Sequence, residues 1–308
     1  MIITRTPLRI SFAGGGSDLK EYYKAYGGSV LSTTINKYIY LSGHEMFNSN
    51  EILLKYSELE RINDINKIKH NIIREVFNKY KINNIDLNSS ADLPTGTGLG
   101  SSSAFTSGLI LLCNAYKNKT INKLDLAKQA CEIEIDILKE PIGKQDQYST
   151  TYGGMNFITF NQDGTVEMEK IELSNKNKTL LNERLMLFYL GRTRTARSIL
   201  TEQKNNYIKE KVGMKNIHEI VKISRELKKE LKSNSLNNFG EMLNQGWRLK
   251  KELASKISNP EIDYYYDLAI KNGAIGGKLL GAGGSGFLLF YCLKENQNKL
   301  IESLNKIL

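Results

Sequence analysis

Residues 92–104 read Asp-Leu-Pro-Thr-Gly-Thr-Gly-Leu-Gly-Ser-Ser-Ser-Ala, so that Pro94, Gly96, Gly98, Leu99 and Gly100 stand directly before Ser101, Ser102 and Ser103. Phe105, Leu109, Leu112 and Tyr116 then recur at helical spacing, which puts the serines on the first turn of an apolar helix. A helix N-terminus gathers backbone N–H groups without intrahelical partners at the positive end of its dipole, so its natural ligand is an anion. Glycines let the backbone approach that anion with no Cβ in the way. The pattern reads as a phosphate-binding loop, although a serine-capped helix behind a flexible turn shows the same residues. It is not a Walker A loop, because Gly100 is followed by serine rather than lysine, and its glycines miss the dinucleotide spacing.

Two carboxylates call for partners. Across residues 123–138, Leu126, Ala127, Ala130, Ile133, Ile137 and their neighbours cover one broad helical face, and Glu134 falls in the middle of it. A lone carboxylate there must meet a cation or hydrogen-bond donors, and a structural salt bridge is one solution. Residues 140–148, Glu-Pro-Ile-Gly-Lys-Gln-Asp-Gln-Tyr, present Lys144 and Asp146 two positions apart, and taken alone they read as an exposed turn. Near the N-terminus, Arg5-Thr-Pro-Leu-Arg9-Ile-Ser-Phe-Ala leads to Gly14, Gly15, Gly16, Ser17 and Asp18. Asp18 with Glu21 makes a plausible capping box, yet three consecutive glycines exceed what a cap requires and suggest close approach of a ligand. A last glycine loop, Gly281-Ala-Gly283-Gly284-Ser-Gly286, has a formal dinucleotide spacing but leads into a strand, which rejects that match. Gly191-Arg192-Thr-Arg194-Thr-Ala-Arg197 sets three guanidiniums before a helix, a geometry suited to phosphate as well as to surface ion pairs.

The elements that must position these residues are mixed. Residues 2–12, 29–42, 51–56 and 85–91 read as strands, and residues 67–80, 101–116 and 123–138 as helices. A strand ending near residue 160 and a hairpin into residues 166–171 follow, and the polar stretch 174–182 is the best domain boundary. Beyond it come a strand at 184–190, helices at 196–211, 215–232 and 236–256, a helix from Pro260, strands at 274–280 and 286–293, and a last helix. The expected class is α+β in two domains, 1–178 and 179–308.

A chain of 308 residues, 40% hydrophobic and 25% charged, has the composition of a folded globular protein. Its N-terminus is unlike a signal peptide and its longest apolar runs are too short to span a bilayer. Cys113, Cys131 and Cys292 lack metal spacing and are odd in number, which points to a reducing, cytoplasmic setting. The net charge of +10 is spread through the chain without basic runs interleaved with aromatics, so a solvated basic surface is expected and neither nucleic acid nor membrane is a partner. A monomer or homodimer is anticipated.

Pro94 through Ser103, the Arg9 to Asp18 segment and the glycine loop near residue 283 occur in the order of the three motifs of the GHMP kinases, which this chain resembles over essentially its whole length. The resemblance implies a two-domain fold, with a ribosomal protein S5 domain 2-like N-terminal domain containing a left-handed βαβ unit and a ferredoxin-like C-terminal domain. It implies ATP bound by Pro94, Gly96, Gly98, Leu99, Gly100, Ser101, Ser102 and Ser103, with Ser102 and Glu134 as Mg²⁺ ligands. The segment Ile142-Gly-Lys-Gln-Asp-Gln-Tyr148 is similar to that of the family's sugar kinases, which makes Asp146 the catalytic aspartate, with Arg9 and Lys144 supporting it. Gly15, Gly16, Ser17, Asp18, Gly283 and Gly284 are then the sugar-binding residues. Galactokinases carry Gly-Glu-His-Thr-Asp where this chain has Gly-Gly-Gly-Ser-Asp, so a different sugar face is read. The nearest pattern is that of kinases acting on the anomeric hydroxyl of a heptose 7-phosphate, whose bisphosphate product is used to build nucleotide-activated heptose. One or more of Arg192, Arg194 and Arg197 would hold the substrate's phosphate. An L-fucose-type kinase and a non-catalytic sugar and ATP sensor are the alternatives.

Overall fold

The computed structural model describes residues 1–47, 51–191, 197–209 and 211–305. Strand β1 (Ile2–Ala13) leads through a glycine turn to helix α1 (Lys20–Tyr26) and the long strand β2 (Gly28–His44). Strands β3 (Ile52–Lys55) and β4 (Leu59–Ile62) form a hairpin, followed by a 3-10 turn (Ile65–Lys67), α2 (Asn71–Tyr80), β5 (Ile85–Ala91) and α3 (Ser101–Tyr116). Helix α4 (Lys123–Cys131) continues into a π-helical turn at Glu132–Ile137, and then come α5 (Gln145–Tyr152), β6 (Met155–Phe160), β7 (Val166–Lys170), α6 (Asn175–Arg184) and β8 (Leu185–Tyr189). Helices α7 (Arg197–Lys209), α8 (Lys211–Lys232), α9 (Phe239–Lys251) and α10 (Pro260–Lys271) precede β9 (Ala274–Leu279), β10 (Phe287–Cys292) and α11 (Lys294–Asn305).

The chain divides into two compact units, and the division is not a single cut. The first unit is Met1–Arg9, Thr34–Thr95 and Gly100–Gly154; the second is Ile10–Thr33, Gly96–Leu99 and Met155–Leu308. In the first, β4, β3, β5 and the later part of β2 lie side by side, with β3 parallel to β5 and β2 antiparallel to it. Alternation along β2 buries Ile39 and Leu41 while Tyr40 and Ser42 stay half-exposed, the period expected of a sheet covered on one face. Helix α3 is apolar nearly all round and fully buries Leu109, Ile110, Leu112 and Cys113, which makes it the core helix of this unit.

In the second unit, the first residues of β2 pair with β6, and β6 with β7. A separate antiparallel sheet has the order β8-β10-β9. Strand β10, Phe-Leu-Leu-Phe-Tyr-Cys, is buried along its entire length, as a continuous apolar run at the centre of a sheet requires. Trp247, Ile262, Tyr266, Leu279, Leu288, Phe290 and Leu300 form one core on it. None of the described helices is long and apolar enough to cross a membrane.

Several local expectations change. The stretch 174–182 is helix α6, capped by the Ser174 side chain on the Asn177 N–H, and its polarity reflects a helix that buries only Leu181. The helix expected from residue 67 begins at Asn71, with His70 at its N-cap. Strand β4 was not anticipated. Asp18 and Glu21 form no capping box: α1 starts at Lys20 with no side-chain cap, and Asp18 Oδ1 instead accepts from the Gly16 N–H at 2.9 Å.

Candidate active site

In the first unit, β1 delivers Arg9 as a buried cation, 2% exposed. Its guanidinium is satisfied by Asp146, Nε donating to Oδ1 at 2.8 Å and Nη2 to Oδ2 at 2.6 Å. Two parallel charge-assisted bonds hold the carboxylate plane as well as its charge. The expectation of an exposed turn at Asp146 is corrected: the residue sits in the first turn of α5, its side chain 24% exposed. Lys144 occupies the N-cap position of the same helix, two residues earlier.

The N-terminus of α3 lies against this pair. Gly100 is its N-cap at φ +74, and no side chain caps the helix. A Cβ at Gly100 would lie 3.0 Å from Arg9 Cγ and 3.5 Å from Asp146 Oδ2. Only glycine therefore lets the positive end of α3 come this close to the ion pair. Ser102 is exposed on that first turn, and Ser101 and Ser103 are buried.

Glu134 is 1% exposed, on the π-helical turn that extends α4. π turns shift a side chain out of helical register and are frequent at functional positions. The donors that its burial demands are Ser102 Oγ to Oε1 at 2.6 Å, and Ser103 Oγ and Gln147 Nε2 to Oε2, each at 2.8 Å. Burial raises the Glu134 carboxyl above its usual range, the three donors act against that, and the Asp146 charge adds to it. A structural salt bridge, the other solution open to the sequence, is absent among the described residues. Ser103 and Gln147 had no assigned part in the sequence reading as partners of Glu134, and only their being donors near a stranded carboxylate could have pointed to them.

The second unit brings glycine segments together. Gly98 (φ +80) and Gly281 (φ +70) pack backbone on backbone: a Cβ on Gly98 would lie 2.5 Å from the Leu280 carbonyl oxygen, and one on Gly281 2.4 Å from the Gly98 Cα. Lys250 Nζ donates to the carbonyls of Leu279 at 3.3 Å and Gly281 at 2.5 Å, holding the start of that loop. Gly283 is buried, Gly284 half-buried with its N–H on the Ile257 carbonyl, and Leu99 fully buried, while Gly96 is exposed. Pro94, two residues earlier in the chain, is exposed in the first unit. In the N-terminal glycine turn, Ser17 is fully buried and its hydroxyl bonds the Gly14 and Ser29 carbonyls, whereas Gly15 and Gly16 are half-exposed. Arg192 and Arg194 lie outside the described residues; Arg197 opens α7.

The arrangement in the first unit can bind an anion at a helix terminus, offer a fixed carboxylate to a hydroxyl and hold a second, buried carboxylate beside a serine hydroxyl. A family model described as the GHMP kinases N terminal domain matches residues 66–154, and one described as GHMP kinases C terminal matches residues 227–307. A D-glycero-alpha-D-manno-heptose 7-phosphate kinase of Campylobacter jejuni is 33% identical, across 99% of this chain and 93% of that protein. An L-fucokinase/L-fucose-1-P guanylyltransferase of Bacteroides fragilis is 24% identical across 92% of this chain and 34% of its own length. A crystal structure of a D-glycero-D-manno-heptose 1-phosphate kinase from Bacteroides thetaiotaomicron superposes with a TM-score of 0.81 at 23% identity, covering 100% of this chain and 93% of that one.

Proposed function

The chain belongs to the GHMP kinase family and is an ATP-dependent sugar kinase, and on that premise we propose that it phosphorylates the anomeric C1 hydroxyl of D-glycero-D-manno-heptose 7-phosphate. The observation that carries the choice of sugar is the full-length relative at 33% identity, a heptose 7-phosphate kinase. In this reading the C1 oxygen forms a bond to the γ-phosphorus of ATP as the bond from that phosphorus to the β,γ-bridging oxygen breaks. ADP leaves with the electron pair, and the hydroxyl proton passes to Asp146. Arg9 holds that carboxylate in a fixed plane, so Asp146 orients the hydroxyl and takes its proton as the bond to phosphorus forms. The uncapped N-terminus of α3 binds the phosphates through backbone N–H groups, and Lys144 adds positive charge beside them.

Ser102 and Glu134 fit a magnesium ion that travels with ATP. Both are oxygen donors, and among the described residues no cluster of three His, Cys, Asp or Glu side chains forms a full cage, as suits a cation that retains waters and phosphate oxygens. When bound, Mg²⁺ neutralises charge on the transferring phosphoryl group. Arg192, Arg194 and Arg197 are proposed to hold the 7-phosphate, on the strength of their spacing alone. The small-molecule partners are thus ATP and a phosphorylated sugar, in a reducing cytoplasmic setting.

An ADP-release assay over D-glycero-D-manno-heptose 7-phosphate, the unphosphorylated heptose, L-fucose, galactose and mevalonate tests this. Turnover confined to the heptose 7-phosphate is expected. Preference for a sugar without a phosphate would remove the phosphorylated substrate and leave the sugar kinase.

A further inference from the structure

Support of the Glu134 carboxylate is lopsided. Among the described residues, Oε1 accepts only from Ser102 Oγ, on an exposed side chain, while Oε2 accepts from both Ser103 Oγ and Gln147 Nε2, which are 2% and 0% exposed as residues. An ionised carboxylate oxygen has about two lone-pair sites, so Oε2 is filled and Oε1 keeps one open. Ser102 donates its proton to Oε1 and so keeps its own oxygen lone pairs. The two open acceptors, Oε1 and Ser102 Oγ, are 2.6 Å apart, and Ser102 is exposed.

Gln147 has one task in this arrangement. Its amide nitrogen bonds Glu134, but its amide oxygen is buried with no partner among the described residues. Turning the amide over would set oxygen against oxygen, so the carboxylate alone dictates its orientation. A buried glutamine serving a packing network would satisfy both ends. Gln147 also follows Asp146 on the first turn of α5, so the same turn that engages Arg9 reaches Glu134.

We propose that Gln147 is a positioning residue: with Ser103 it saturates Oε2 of Glu134, and so keeps Oε1 and the Ser102 hydroxyl available together to the divalent cation that accompanies ATP. This rests on the reading of Ser102 and Glu134 as cation ligands. Outer partners of metal ligands typically influence affinity about 10–100-fold.

The test is direct binding of Mn²⁺, followed by electron paramagnetic resonance, to the full-length protein complexed with a non-hydrolysable ATP analogue. Gln147→Met keeps the volume and removes the donor; Ser103→Ala removes the other donor and serves if Gln147→Met does not fold. Either substitution is expected to weaken Mn²⁺ binding by roughly 10-fold or more. For Gln147→Met, affinity for the analogue without metal should hold, and in turnover the apparent KM for Mg²⁺ should rise while that for the sugar does not. Glu134→Gln separates the two levels of the argument. If Glu134→Gln loses Mn²⁺ affinity and both other variants keep it, the role of Gln147 is overturned and the cation reading stands. If Glu134→Gln also binds Mn²⁺ as the parent does, the cation reading falls and takes this inference with it.

Discussion

Arg9 engages both oxygens of Asp146, at 2.8 and 2.6 Å, from a side chain only 3% exposed, and the carboxylate reaches it from the first turn of an eight-residue helix. A bidentate guanidinium fixes orientation in a way that a lysine ammonium does not. The pair therefore does two jobs: it neutralises a buried cation, and it aims a partly exposed carboxylate.

Substitutions can separate those jobs. Asp146→Asn keeps a carbonyl that still accepts from Arg9, so the fold should survive, but it cannot take a proton. A fall in kcat of about 10²–10⁴ with little change in the KM for ATP is expected. Asp146→Ala removes the carboxylate that both Arg9 nitrogens engage, and should lower the melting temperature more than Asp146→Asn does. Arg9→Lys should be intermediate in kcat. Steady-state kinetics with thermal melts check this; parent-like kcat in Asp146→Asn would remove the residue from proton transfer.

The site was unevenly legible in the sequence. Ser101–Tyr116 stands out because a strong apolar pattern follows a run of serines, and helix α3 has those bounds. Glu134 stands out because a carboxylate in an apolar arc demands partners. Which donors meet it is a tertiary fact, since Ser103 and Gln147 lie 31 and 13 residues away. Asp146 reads as an exposed turn because Gln145–Tyr152 is short and polar, with Pro141 and Gly143 just before it, and the tertiary partner Arg9 is what draws it partly out of solvent. Helix α6 hides for a related reason: with Leu181 as its buried residue, it lacks a readable stripe. The Asp18 cap fails because the Gly14–Ser17 turn is closed by its own hydrogen bonds, which leave Asp18 to hold the Gly16 N–H.

The glycine contacts give a stability prediction with an internal control. Gly98, Gly281 and Gly154 all have positive φ, at +80, +70 and +75. A Cβ on Gly98 or Gly281 would meet backbone atoms at 2.5 or 2.4 Å, whereas one on Gly154 meets nothing within 4 Å. Gly154→Ala should cost only the left-handed strain, about 1–2 kcal/mol. Gly98→Ala and Gly281→Ala add an overlap that no rotamer can relieve, worth roughly 1–3 kcal/mol more. Denaturant midpoints measure both. Equal losses at the three positions would show that the two loops do not depend on backbone contact.

The arginine segment gives a kinetic prediction that needs no geometry. Arg194→Ala and Arg197→Ala should each raise the KM for heptose 7-phosphate by about 10-fold or more if a charge-assisted pair to phosphate is lost, which is worth roughly 1.5–3 kcal/mol. The KM for ATP should stay near the parent value. Unchanged KM values in both variants would free the segment from any part in binding the sugar phosphate.

His70 makes stability depend on pH through a helix cap. Its Nδ1 accepts from the Ile73 N–H at 3.4 Å, which requires that nitrogen to be unprotonated, and its ring packs between Tyr56 and Phe105 at centroid distances of 5.1 Å. Burial pushes the imidazole below its ordinary value of 6.5, and the nearby Glu60 charge only partly opposes this. A histidine whose folded value is depressed contributes stability that is complete above the unfolded value. That contribution is lost as pH falls through the lower, folded value. Stability should therefore drop as pH falls below about 6.5, before most carboxylates titrate. Asn is a good N-cap and does not ionise, so His70→Asn should keep α2 capped and flatten this part of the profile. Urea midpoints between pH 7.5 and 5 decide it: the same slope in His70→Asn as in the parent would assign the acid sensitivity to other groups.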